Sequence, residues 1–77
     1  MQDISFGHVE VQLDEVIKRS NLSKNKIANL SQMQRTQLNN YCKGKVQRMD
    51  LSTLARLCYA LDCDISDILK YVPPQNV

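Results

Sequence analysis

The stretch that decides the fold is Ile27-Ala28-Asn29-Leu30-Ser31-Gln32-Met33-Gln34-Arg35-Thr36-Gln37-Leu38-Asn39-Asn40-Tyr41-Cys42-Lys43-Gly44. Ile27, Ala28 and Leu30 mark the inward side of a helix running from about Lys24 to Leu30. Leu38 and Tyr41 mark the inward side of another, from about Gln34 to Lys43. Ser31–Met33 leaves room only for a tight turn between them, so residues of about 24–43 have the outline of a helix-turn-helix. Gly44 follows at the position where a left-handed residue ends a helix without steric cost.

The pattern extends in both directions. Upstream, Ser23 is a good N-cap, and Leu22 and Ile27 stand at the positions of a hydrophobic staple. Before them, Leu13, Val16 and Ile17 face one way on a short helix that Ser20-Asn21 ends. His8–Leu13 alternates apolar and polar residues, a short N-terminal strand signal. Downstream, Lys45–Met49 reads as a basic loop. Asp50 then caps a helix from Leu51 to about Leu61, with an apolar stripe of Leu51, Leu54, Ala55, Leu57, Cys58 and Leu61. Asp64 caps a fifth helix, Ile65 to about Tyr71, with Ile68 and Leu69 inward and Pro73-Pro74 as its stop. The expectation is a compact all-α, five-helix domain, with room for a short N-terminal strand, occupying 1–77 as one unit.

Composition agrees with one small core. Of 77 residues 43% are hydrophobic and only 5% aromatic, so aliphatic side chains must fill the interior. Cys42, Cys58 and Cys63 are odd in number and show no C-x-x-C spacing, which argues against a disulfide framework or a metal site. Free thiols suit a reducing cytoplasm, no apolar run reaches membrane-spanning length, and the first twenty residues lack the apolar core of a signal peptide. His8, the only histidine, has no catalytic or metal-binding partners placed near it, and no phosphate loop or nucleophile–base pair occurs, so the chain reads as a non-enzyme without a cofactor. No pocket for a small-molecule effector is evident.

Charge carries more information than the net value of +2. Residues 16–49 hold Lys18, Arg19, Lys24, Lys26, Arg35, Lys43, Lys45 and Arg48 and no Asp or Glu, whereas all eight acids lie outside that span. Such segregation attracts polyanions, although a solvated basic face shows the same pattern. The third helix discriminates better. Arg35, Thr36, Asn39, Asn40 and Lys43 share its outward face, with Gln37 at the flank and Gln34 at its start. Asn and Gln can bond bidentately to adenine and Arg to guanine, while an ordinary solvent face would mix Glu with Lys. Lys24 and Lys26 occupy the first turn of the second helix, where the helix dipole disfavours cations by a few tenths of a kcal/mol each, ~0.3 or more. A phosphate docked on the exposed N–H groups there, beside Ser23, would reverse the sign.

These residues resemble the helix-turn-helix of the Cro/cI-type (XRE) repressor family. The likeness rests on the Ile27-Ala28 pair, apolar Met33 in the turn, Leu38, Tyr41 and the closing Gly44-Lys45, and it continues from Asp50-Leu51 through Ile68-Leu69. It covers about Leu13 to Pro73 and implies a lambda-repressor-like DNA-binding fold acting in transcription regulation, as a repressor. The resemblance places base readers at Arg35, Thr36 and Asn40, with Gln34 and Gln37 alongside, and backbone contacts at Lys24, Lys45, Gln47 and Arg48. Ser23, Lys26 and Lys43 join the phosphate contacts by position, and Asn39 the base-reading face. The implied partner is double-stranded DNA, bound as a homodimer paired through Val9–Leu13 or Tyr71-Val72. One departure stands out: Gln32 occupies the turn position where the family has Gly, so either a non-Gly residue accepts a left-handed conformation at about 1 kcal/mol or the turn winds differently. The competing function is a protein-interaction adaptor, antitoxin-like or anti-repressor, that keeps the fold without the DNA role.

Overall fold

The computed structural model describes residues 4–44 and 46–75. Its elements run β1 (His8–Val11), α1 (Leu13–Ser20), α2 (Lys24–Ser31), α3 (Arg35–Cys42), α4 (Leu51–Leu61), α5 (Ile65–Ile68) and β2 (Leu69–Val72). Five helices therefore enclose the core, and a two-stranded antiparallel sheet closes one side of it. Every helix sends one fully buried aliphatic side chain inward: Leu13, Ile27, Leu38, Leu57 and Ile68. Each such burial is worth about 1.5–3 kcal/mol. Met33 from the turn and Tyr41 from α3 complete the packing around α2, which lies chiefly against α4. Ser31 is also fully buried, and its hydroxyl is satisfied by donating to the Ile27 carbonyl at 2.6 Å.

Local chemistry explains the helix ends. The Ser23 hydroxyl accepts from the Lys26 N–H at 3.1 Å, and the Asp50 carboxylate accepts from the Thr53 N–H at 2.6 Å. Hydrogen bonding from Thr53, its side chain first and its backbone N–H second, holds the Asp50 carboxyl below its ordinary range. Asn21, Gln32 and Asp62 end α1, α2 and α4 in the left-handed region, while Gly44, with φ 69°, follows α3. Gln32 settles the question of the turn: with φ 56° and ψ 42° it takes the left-handed conformation itself, and the differently wound alternative falls away.

The main correction concerns the C-terminal end. The helix expected to reach Tyr71 stops at Ile68, and Leu69–Val72 forms β2, with His8 opposite Val72 and Val11 opposite Leu69. The five helices and the short N-terminal strand stand as expected, and β2 is the addition. β1 presents an edge that needs hydrogen-bonding partners, and a short run with Tyr71 and Val72 suits a strand at least as well as a helix turn. The Gln12 N–H donates to the Ile68 carbonyl at 2.6 Å and ties the sheet to the start of α1. Gly7 is needed where β1 begins: its φ is 78°, and a Cβ there would overlap the Val72 carbonyl. Three side chains expected inward point out, namely Leu30, Leu51 and Ala55. Among the described residues no helix is long and apolar enough to cross a membrane.

Candidate nucleic-acid interface

α2 and α3 meet as the sequence expects, and the turn between them is bonded throughout. The Met33 N–H donates to the Ala28 carbonyl at 2.9 Å and the Gln32 N–H to the Asn29 carbonyl at 3.2 Å. These two bonds form a Schellman motif, and its associated apolar contact falls on Ala28 and Met33, both in the core. Leu38 and Tyr41 anchor α3 from beneath, so its outward face is fixed relative to α2.

On that face Arg35, Thr36, Gln37, Asn40 and Lys43 are exposed, and Asn39 is half-buried at the margin. Gln34 is exposed and serves as the N-cap residue of α3 without a capping side-chain bond, which leaves its amide free for other partners. No acid lies in the first turn of either α2 or α3. α1 contrasts with both: Asp14 and Glu15 occupy its first turn and Lys18 and Arg19 its last, as the helix dipole favours. The inverted arrangement on α2 and α3 leaves their positive ends without a protein counter-charge of that kind.

Of the residues assigned to phosphate, Ser23 and Lys26 are exposed at the start of α2 and Lys24 is half-buried beside them. The Ser23 hydroxyl oxygen accepts the cap bond from the Lys26 N–H, which leaves its O–H proton to donate to a phosphate beside the neighbouring lysines and N–H groups. Gln47 and Arg48 are exposed in the loop after α3. Lys45 lies outside the described residues.

One contact escaped sequence reasoning. The Arg35 guanidinium donates to the Asn25 side-chain oxygen and joins the starts of α3 and α2. Asn25 carried no signal of its own, because the pairing spans ten positions and depends on the angle between two helices. Tyr41 is core, as expected. His8, for which the sequence places no catalytic or metal-binding partners, lies 3.2 Å from the Glu10 carboxylate on exposed β1.

No curated protein matches the chain significantly. The sequence profile of the Cro/C1-type HTH DNA-binding domain family does, over residues 12–74. That span runs from the start of α1 to just beyond β2 and includes every helix described above. Families of this kind bind DNA, act in transcription regulation and are typically non-enzymatic. The chain belongs to the Cro/C1-type HTH DNA-binding domains.

Proposed function

We propose that the chain is a sequence-specific duplex-DNA-binding regulator, acting as a repressor in the cytoplasm, in which residues 1–77 work as one lambda-repressor-like unit. The carrying observation is the acid-free outward face of α3, where Arg35, Thr36, Gln37 and Asn40 stand exposed on a rigidly seated helix. α3 enters the major groove in this reading. Gln34, Arg35, Thr36, Gln37, Asn39 and Asn40 address base edges, while Ser23, Lys24, Lys26, Lys43, Lys45, Gln47 and Arg48 line the phosphate track.

The chain pairs as a homodimer in this proposal, because one such helix reads only a few base pairs. Of the surfaces nominated from sequence, Leu13 is fully buried and Val11 and Val72 are half-buried, while Val9 and Tyr71 are each 59% exposed. A second face, on α4, offers larger exposed side chains beside a groove. Leu51, Ala55 and Tyr59 recur every fourth residue along the solvent side of α4, and Leu51 and Tyr59 are 81% and 79% exposed. Beside them a groove of about 490 Å³, lined by Leu51, Leu54, Ala55, Cys58, Cys63 and Ile65 with Asp64 as its one acid, opens between α4 and α5. A surface holding both projecting side chains and a groove suits an isologous contact.

Binding to duplex DNA as a function of salt tests the function. With roughly 4 to 6 phosphates contacted, the log–log slope is expected at about −4 to −5 per protomer. Lys24→Ala, Lys45→Ala and Arg48→Ala each flatten it by about one unit per protomer. In vitro selection from random duplexes then yields one preferred site. Absence of binding at about 50 mM salt would leave the adaptor function in its place.

A further inference from the structure

α4 ends as α2 does. The Cys63 N–H donates to the Cys58 carbonyl at 3.1 Å and the Asp62 N–H to the Tyr59 carbonyl at 3.4 Å, with Asp62 left-handed between them. This is again a Schellman motif, whose two flanking side chains characteristically pack against one another. In α2 those positions hold Ala28 and Met33, both in the core. In α4 they hold two thiols. Both are free and half-buried, both pack against the edge of the core, and both line the open groove between α4 and α5. Backbone bonding makes the two residues neighbours, which is what a bridge requires.

We propose that Cys58 and Cys63 form a paired dithiol that a small-molecule disulfide, such as oxidised glutathione, converts to an intramolecular disulfide joining the end of α4 to the start of α5. In the first step one cysteine thiolate attacks a sulfur of oxidised glutathione. The reagent's S–S bond breaks, a mixed disulfide forms on the protein, and one glutathione leaves as a thiolate that takes up a proton. The second cysteine, its own proton lost to solvent, attacks the protein sulfur of the mixed disulfide and displaces the other glutathione. Two protein thiols are oxidised by two electrons, and one oxidised glutathione becomes two reduced molecules.

Chemistry around the pair agrees with close approach. Burial pushes the Cys63 thiol up to about 11, and the adjacent Cys58, Asp67 and Asp64 push in the same direction. A thiol so reluctant to ionise reacts slowly at neutral pH, so closure accelerates as the pH rises. Cys42 is the internal control. It sits on α3, and the groups acting on its thiol besides burial are Lys24, Asp14 and Arg35 rather than another cysteine.

The test treats the folded full chain with excess oxidised glutathione at mildly alkaline pH, alkylates the remaining thiols, and reads intact mass and peptides. The expected product has lost two hydrogen atoms, carries a Cys58–Cys63 bridge, retains no glutathione, and is alkylated at Cys42 alone. In Cys63→Ser, no second thiol can displace the first adduct, so glutathione stays on Cys58. Stable glutathione adducts on Cys58 or Cys63 in the unmodified sequence, a bridge that includes Cys42, or no bridge at equilibrium would each overturn the proposal. A second measurement rests on the pairing surface proposed above. Two copies covering the groove shield the thiols, so closure should slow as protein concentration rises. A rate independent of concentration across the dimerisation range overturns that pairing surface and leaves the bridge standing.

Discussion

Between α2 and α3 the chain reverses through Gln32, and between α4 and α5 through Asp62, with φ of 56° and 51°. Both turns are closed by the same pair of backbone bonds. What the two units present to solvent has little in common. The α3 face offers amides, a hydroxyl and cations, with Leu38 and Tyr41 beneath. The α4–α5 face offers Leu51, Tyr59 and Ile65, all well exposed. One backbone device thus supports two surfaces of opposite character. The first suits a polyanion and the second another apolar surface, so backbone geometry alone cannot tell them apart and outward side chains must.

The comparison can be broken most severely from inside. Leu38→Ala removes the fully buried anchor of α3 and should cost about 2–5 kcal/mol of stability in chemical denaturation. A loss below about 1 kcal/mol would mean that the recognition face is not seated as described. Next in size is the apolar unit. Tyr59→Lys should weaken pairing by about 2 kcal/mol or more, roughly thirtyfold, in sedimentation. Tyr71→Lys, which removes an exposed β2 side chain whose hydroxyl donates to the Phe6 carbonyl, should leave pairing intact. The reverse order would move the interface to the hairpin.

The polar unit comes third. Arg35→Ala and Asn40→Ala should each cost about 1–3 kcal/mol on the preferred duplex and relax selection at one base pair. Their stability should change by no more than about 0.5 kcal/mol, since both side chains are exposed. Equal weakening on every sequence would make them phosphate contacts and shift base reading to Gln34, Gln37 or Asn39. The smallest effect compares the turns themselves. Asp tolerates the left-handed region better than Gln, so Gln32→Gly should gain up to about 1 kcal/mol and Asp62→Gly less. An equal or larger gain at Asp62 would show that the strain is not at the α2–α3 turn.

Helix signals were legible where capping and periodicity agreed. Ser23 and Asp50 marked the starts of α2 and α4, and Leu13, Ile27, Leu38 and Leu57 were all found on apolar stripes. β2 was not legible, because a four-residue strand has no stripe of its own and exists through its pairing with β1. Leu30, Leu51 and Ala55 were misjudged for a related reason: periodicity gives a helix its apolar residues but not which of them a neighbour covers. On the candidate site, the residue types of α3 were readable from its composition. The Arg35–Asn25 bond was not, since it arises only when two helices are fixed at an angle.

That bond has a kinetic meaning for a molecule that must search a long polymer. A free arginine samples many rotamers and fastens on any nearby phosphate, which lengthens every stop at a wrong position. Held by Asn25, the guanidinium has already surrendered much of that freedom, about 0.5–1.5 kcal/mol that need not be lost again on binding. Under the proposed function, its remaining donors would keep one direction while the protein slides. The side chain would then sample sequence as a restrained probe, and dwell time along the duplex would depend on the base it meets more than on the charge it carries.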